Sequence, residues 1–153
     1  MKIGVDVHGV ITHNPGGFKR FLSNQMAKHE VFIVSGPPEE DVKEELDALG
    51  IYEGHHYDQI LSVIDYLRYA GHKTWEDPVG SGHWWADSKV WWATKSQIAR
   101  DYQIDVLIDD HDRYSQGMPD FTIFVLYEEG KMYAHAFGIG PMTLKEDMFD
   151  TLR

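Results

Sequence analysis

Short apolar runs alternate along the chain with segments in which apolar residues recur at helical spacing. The runs over 2–7, 31–34 and 104–108 consist mainly of β-branched and other apolar residues and end at polar ones, which is typical of strands buried on both faces. Residues 18–29 show helical spacing, and the prolines and acids at 37–41 with the glycine at 50 predict a second helix over about 39–49. The pattern therefore predicts three strands with helices between them.

The middle of the chain is less regular than its first third. Residues 57–69 predict an amphipathic helix, and residues 84–102 again show helical spacing. The segment 71–83 between them is rich in glycine, proline and polar residues, so we expect a loop or a small ribbon there.

Two further strands are expected towards the end of the sequence. Residues 121–127 and 132–137 are strand-like, and Glu128 to Lys131 between them favour the turn of a β-hairpin. Met142 to Leu152 predicts a short helix.

The order of these elements predicts an α/β fold. Strands that alternate with helices pair in parallel through right-handed crossovers. We therefore expect a Rossmann-like, doubly wound and mainly parallel sheet with helices on both faces and a C-terminal β-hairpin. A length of 153 residues suits a single domain over 1–153. Ligands of such sheets bind beyond the carboxyl ends of the strands.

Charge and composition exclude several classes of function. The chain has 14 Lys and Arg against 25 Asp and Glu, a formal net charge of −11, so its overall field repels nucleic-acid backbones and we expect no non-specific nucleic-acid binding. The absence of cysteine excludes disulfides and thiolate metal sites. No apolar run has the ~20 residues of a membrane span, so we expect no membrane association and a cytoplasmic protein.

Residues whose side chains could take part in catalysis or metal binding follow three of the predicted strands. Asp6 comes after the first strand, Ser35 after the second, and Asp109 and Asp110 after the third, while Lys95 lies on the helix before the third strand. Each of them alone is more often a cap or turn residue. The joint pattern is more informative, because parallel strand ends meet at one edge of a sheet.

These motifs resemble those of the haloacid dehalogenase superfamily over about residues 1–127. The family's first motif, an apolar strand followed by Asp-x-Asp-Gly, is similar to Asp6-Val7-His8-Gly9. Its second motif is a strand ending in Ser or Thr, as in Val31 to Ser35. Its third is a lysine, here Lys95, and its fourth is a strand ending in paired acids, as in Ile104 to Asp110. Most members are Mg2+-dependent phosphatases that work through an aspartyl-phosphate.

The resemblance implies a Mg2+-dependent hydrolase of phosphate monoesters with Asp6 as the nucleophile. A carboxylate that attacks phosphorus gives an acyl phosphate, which water then cleaves. Ser35 and Lys95 would donate hydrogen bonds to the phosphoryl oxygens. Hard oxygen ligands would hold the Mg2+, namely Asp6, the carbonyl of His8, Asp109 and Asp110.

Lys89 competes with Lys95 for the role of the phosphate-binding lysine. The two residues are six positions apart on the predicted helix. At about 100° per residue their directions differ by roughly 120°, so only one of them points into the site. The sequence leaves the choice open.

His8 departs from the family's first motif. In the family's phosphatases this position is an Asp that protonates the leaving oxygen and then activates water. An imidazole, with an ordinary pKa of ~6.5, has the chemistry to serve as the same acid and base. The alternative is a catalytically weak or inactive module that binds a phosphorylated ligand or a protein partner.

The spacing of the motifs leaves room for at most a small lid. The interval between the second and third motifs contains about 51–84 beyond its ordinary crossover helices, and we expect any lid there. An open site of this kind favours a macromolecular or bulky phosphorylated substrate over a small sealed one on geometric grounds, and we expect a substrate that is bulky or nucleotide-like.

Overall fold

Nine strands and four α-helices make up the part of the chain that the computed structural model describes, residues 1–128, 130–136 and 139–143. Seven strands form the main sheet: β1 Lys2–Val5, β2 Glu30–Ser35, β3 Gln59–Ser62, β6 Val106–Asp109, β7 Ile123–Glu128, β8 Lys131–Ala136 and β9 Ile139–Thr143. The strands β4 Thr74–Glu76 and β5 Trp84–Ala86 form a separate antiparallel ribbon. The helices are α1 Pro15–Met26, α2 Glu39–Ala48, α3 Val63–Tyr69 and α4 Ser88–Tyr102.

The main sheet has the order β3-β2-β1-β6-β7-β8-β9. Its first five strands are parallel, while β8 and β9 add in antiparallel fashion. The α/β class, the mainly parallel sheet and the hairpin of β7 and β8 are thus as predicted. Strand β1 pairs with β2 on one side and β6 on the other, so Asp6 lies between the ends of the two strands that carry Ser35 and Asp109.

Alternating side chains of the strands fill two hydrophobic layers, one on each face of the sheet. Val31 and Ile33 belong to a cluster that includes residues of α1 and α2. Phe32 and Val34 belong to a second cluster with residues of α3 and α4. Period-two alternation explains this division, because neighbouring strand residues point to opposite faces. Helices therefore cover both faces, as predicted.

Two helix predictions were wrong at their starts. The segment 57–69 contains strand β3 before helix α3, and the segment 84–102 contains strand β5 before helix α4. In both places a polar residue caps the helix: the side chain of Ser62 accepts from the Asp65 N–H, and that of Asp87 from the Lys89 N–H. A strand that runs directly into a helix leaves no glycine or proline signal between them.

Two further predictions concern the lid and the C-terminal segment. Within the predicted lid of about 51–84, strand β3 belongs to the main sheet and helix α3 packs against one face of it. The ribbon of β4 and β5 in the same segment lies outside the main sheet. Met142 and Thr143, predicted as the start of a helix, belong to β9. Residues 144–152 of that predicted helix lie outside the described residues. No helix in the described ranges is long and apolar enough to cross a bilayer.

Candidate functional site

The site is built around Asp6, directly after the central strand β1. Its backbone N–H donates to the carbonyl of Ile108 in β6 at 2.9 Å, which extends the parallel pairing one residue beyond β1. The side chain of Asp6 is buried. A carboxylate in this position is desolvated and needs neighbours that compensate its charge.

Lys95 of α4 is the cation that reaches Asp6. It is 2% exposed, and its Nζ lies 2.5 Å from Oδ2 of Asp109 and 3.3 Å from Oδ1 of Asp6. The Nζ also lies 4.2 Å from the ring centroid of Tyr114, within the range of a cation–π contact. Lys89 is exposed on the same helix. The structure therefore places Lys95, and not Lys89, at the end of β1.

The carboxylates outnumber this single cation, and the pKa values reflect it. The pKa of Asp6 is raised to about 8 in all: burial raises it most, Lys95 lowers it, and Asp109 and Asp110 raise it. Burial alone would lower the pKa of Lys95, but the charges of Asp109 and Asp6 raise it overall. Lys95 is therefore protonated. Its single positive charge cannot balance three ionised carboxyl groups, namely Asp6, Asp109 and Asp110.

Asp6, Asp109 and Asp110 are arranged as a set of hard oxygen donors. One carboxylate oxygen from each of them lies within 4.8 Å of the other two. Oxygen donors with excess negative charge suit a small divalent cation such as Mg2+. Asp109 is fully buried and its Oδ1 also accepts from the His111 N–H at 3.0 Å, so its orientation is held from two sides.

Gly9 makes room for Asp110 in this set. Its φ is +78°, in the left-handed region that favours glycine, and a Cβ at this position would overlap the Asp110 carboxylate. Its N–H donates to Oγ1 of Thr12 at 2.9 Å, which holds the turn after Asp6. The glycine of the first motif thus has a steric reason in this chain.

Ser35 lies at the end of β2 with its hydroxyl fully buried. Its Oγ has no hydrogen-bond partner among the described residues. A buried hydroxyl without a partner costs about 1–3 kcal/mol in general. Ser35 is not part of the cleft wall, whereas Gly36, the next residue, is. A ligand in the cleft would have to reach past this wall to give the Ser35 hydroxyl a partner.

His8 extends from the turn after Asp6 into the open side of the site. Its imidazole is half-exposed, and Nε2 lies 2.8 Å from Oε2 of Glu45 on α2. The carboxylate fixes the orientation of the ring, as in other carboxylate–imidazole pairs. Sequence reasoning had identified His8 but had not found its partner.

A cleft of about 750 Å3 opens over these residues. Asp6, His8, Lys95 and Asp110 line it, so the structure brings four of the predicted site residues to one cavity. The remaining lining residues come from the loop after β2, α2, the ribbon, α4 and the segment after β6: Gly36, Pro37, Asp41, Glu44, Glu45, Ala48, Gly82, His83, Trp84, Trp91, His111 and Tyr114.

Sequence reasoning did not assign the acids of α2 to the site. Asp41, Glu44 and Glu45 have the spacing i, i+3 and i+4, which places them on one face of a helix. This spacing was the signal that could have identified them as a group. Nothing in the sequence indicated that Tyr114 contacts Lys95, because Tyr114 lies in a short 3-10 turn, Asp112–Ser115, after β6.

Comparison with known proteins assigns no family to this chain. No protein-family model matches it, and neither the curated proteins nor the solved structures contain a match. We therefore infer a function from the fold and from the geometry of the site.

Proposed function

We propose that the protein is a Mg2+-dependent phosphatase of the haloacid dehalogenase type, which hydrolyses a phosphate monoester through an aspartyl-phosphate on Asp6. The observation that carries the proposal is the contact of Lys95 with both Asp6 and Asp109 at adjoining strand ends, beside the third carboxylate, Asp110. A surplus of buried carboxylates over cations is costly unless a proton or a metal cation binds there.

The residues of the metal site fit Mg2+ by their chemistry. Asp6, Asp109 and Asp110 would hold it, with the carbonyl of His8 as a further expected ligand. When bound, Mg2+ supplies the positive charge that cancels the repulsion between an anionic nucleophile and a phosphate dianion.

Asp6 and His8 would perform the covalent chemistry. A carboxylate oxygen of Asp6 forms a bond to phosphorus as the bond from phosphorus to the ester oxygen breaks, and the departing alkoxide takes a proton from His8. In the second half of the reaction, a water molecule attacks the phosphorus of the aspartyl-phosphate while His8 takes a proton from that water. The bond between phosphorus and Asp6 breaks, and Asp6 is released as a carboxylate. The pairing with Glu45 at 2.8 Å supports this role, because it orients the imidazole beside the cleft.

Ser35 and Lys95 would position the phosphoryl group. The buried hydroxyl of Ser35 has a donor to offer and no partner among the described residues. Lys95 already contacts Asp6, so an oxygen of a phosphoryl group on Asp6 would lie near its ammonium group. Fixed donors of this kind stabilise charge that develops in the transition state.

A phosphatase assay tests the proposal. With Mg2+ and p-nitrophenyl phosphate we expect phosphate release by the wild type and a loss of about 10²-fold or more in Asp6→Asn, because the nucleophile is removed. Full activity in Asp6→Asn would refute the covalent mechanism. A silent wild type together with turnover by His8→Asp would show that the chain is the catalytically inactive binding module instead.

A further inference from the structure

One wall of the cleft is acidic and contains no compensating lysine or arginine. Helix α2 contributes Asp41, Glu44 and Glu45 to this wall. Oε2 of Glu45 contacts His8, and Oδ2 of Asp41 accepts from the indole N–H of Trp84 at 3.1 Å. Within the described ranges none of the three acids forms a salt bridge with a lysine or arginine. The wall therefore presents negative charge to whatever enters the cleft.

Lysine and arginine side chains are confined to the reacting end of the cleft, although His8, His83 and His111 also line it. Among the described residues that line the cavity, Lys95 is the one lysine or arginine, and it is buried against Asp6 and Asp109. A second anionic group on a substrate would thus meet carboxylates and no accessible lysine or arginine. A cationic group would be attracted to these carboxylates, since opposite charges near a protein surface attract.

Two tryptophans give the cleft its apolar surface. Trp84, in the ribbon, is held between the carboxylate of Asp41 and the guanidinium of Arg68, which lies 4.5 Å from the ring centroid. Trp91 on α4 is held by a hydrogen bond from its indole N–H to the hydroxyl of Tyr114 at 2.8 Å. Both side chains are fixed in place, and together with the volume of about 750 Å3 they leave room for a carbon skeleton beyond the phosphate.

We propose that the substrate is a phosphate monoester whose alcohol part carries an ammonium group and no second anionic group, as in a phosphorylated amino alcohol or amino sugar. The phosphate binds at Asp6 and Lys95, and the ammonium group faces the carboxylates of α2. This inference rests on the phosphatase activity proposed above and adds the class of substrate to it.

Three phosphate esters with two carbon atoms test the inference, because they are similar in size and differ mainly in the charge of the group they carry. They are O-phosphoethanolamine with an ammonium group, ethyl phosphate with a methyl group, and phosphoglycolate with a carboxylate. We expect kcat/KM to fall in this order, with at least about a tenfold difference between the first and the last. Comparable values for O-phosphoethanolamine and phosphoglycolate would overturn the inference, while turnover that depends on Asp6 would leave the proposed function standing.

A charge reversal on α2 links the preference to the wall. Glu44→Lys should reduce the ratio of kcat/KM between O-phosphoethanolamine and phosphoglycolate by about tenfold. Glu40→Lys is the matched control, since Glu40 is exposed on the same helix but does not line the cleft, and the variant makes the same change in net charge. An equal effect of both variants would show that the acids lining the cleft do not determine the preference for an ammonium group.

A binding experiment covers the case in which the proposed function fails. If the wild type does not hydrolyse p-nitrophenyl phosphate or any of the three esters, the phosphatase proposal is wrong. Calorimetric titration of the three esters in the presence of Mg2+ then decides the inference on its own. The same order of affinity, weakened by Glu44→Lys and unchanged by Glu40→Lys, supports it, and equal or undetectable binding of all three esters overturns it.

Discussion

The contact of Lys95 with two buried carboxylates determines the electrostatics of the site at the scale of single residues. Lys95, Asp6 and Asp109 are each less than one-tenth exposed, so none of them is well solvated. A buried ion pair of this kind contributes little net stability, but removal of one partner leaves an uncompensated charge. The cluster is therefore sensitive to substitution at its single cation.

Lys95→Met should lower the free energy of unfolding by about 3 kcal/mol, because the buried carboxyl groups of Asp6 and Asp109 then lose their cation. Urea denaturation followed by tryptophan fluorescence measures the change. Lys89→Met is the control, since exposed Lys89 should change the free energy by less than about 0.5 kcal/mol. Equal effects of the two variants would show that Lys95 does not compensate the charge of Asp6 and Asp109.

Ser35 and Ser62 offer a matched pair of buried hydroxyls, since they are in register on β2 and β3. Ser62 donates to the carbonyl of Pro37 at 2.6 Å and caps α3, whereas Ser35 has no partner in the described part of the chain. Ser62→Ala should therefore cost about 1 kcal/mol of stability and leave catalysis nearly unchanged.

Ser35→Ala should show the reverse behaviour. Its stability without ligand should equal or exceed that of the wild type, because an unpartnered polar atom is removed, while kcat/KM should fall by about tenfold or more. Thermal unfolding and steady-state kinetics on both serine variants provide the comparison. Loss of stability without loss of activity in Ser35→Ala would contradict a ligand-binding role.

At the scale of elements, the turn after β1 positions the metal site. Gly9→Ala should displace the Asp110 carboxylate and weaken Mg2+ binding by about tenfold or more, because metal affinity depends on the placement of its ligands. Gly54→Ala is the control: Gly54 has a φ of +82° but nothing within 4 Å of an added Cβ. Calorimetric titration with Mg2+ should show weakened binding in the first variant alone, and equal effects would contradict the steric role of Gly9.

The strands and helices also show which elements the periodicity of the sequence could predict and which it could not. Strands with a clear apolar run, such as β2 and β6, and the hairpin of β7 and β8 were found, because their patterns are local. Strand β3 was missed since Ile60 and Ile64 have the i, i+4 spacing of a helix although a strand–helix junction separates them. The pairing of Gln59–Ser62 with β2 is a tertiary contact that helical periodicity hides.

The site was predictable to the extent that it depends on strand ends. Asp6, Asp109 and Asp110 follow from the rule that parallel strands present their carboxyl ends at one edge. The choice between Lys89 and Lys95 required the rotation of α4 against the sheet, which no local pattern specifies. The acids of α2 required knowledge of which helix face borders the cleft.

At the scale of the whole molecule, the raised pKa of Asp6 links the site to folding. The folded-state pKa of about 8 lies above the ordinary value of 3.8, so folding favours the protonated form of Asp6. This contribution to stability is fully present below pH 3.8 and is lost as the pH rises towards about 8. In the metal-free protein, the contribution of Asp6 to stability should therefore decrease over this interval.

Thermal midpoints with a chelator present, measured for the wild type and Asp6→Asn across that interval, test this linkage. The wild type should lose stability relative to Asp6→Asn as the pH rises, because the amide does not ionise. Mg2+ should narrow the difference, since a cation that binds the folded state stabilises it. Parallel pH profiles for the two proteins would show that Asp6 is not titrating in the way its burial implies.

The most direct test of the central claim is mass spectrometry of the protein quenched in acid during turnover with Mg2+ and O-phosphoethanolamine or p-nitrophenyl phosphate. We predict a phosphoryl adduct on the peptide that contains Asp6, absent from Asp6→Asn. Sustained phosphate release by Asp6→Asn, or an adduct on a different residue, would contradict the assignment of Asp6 as the nucleophile.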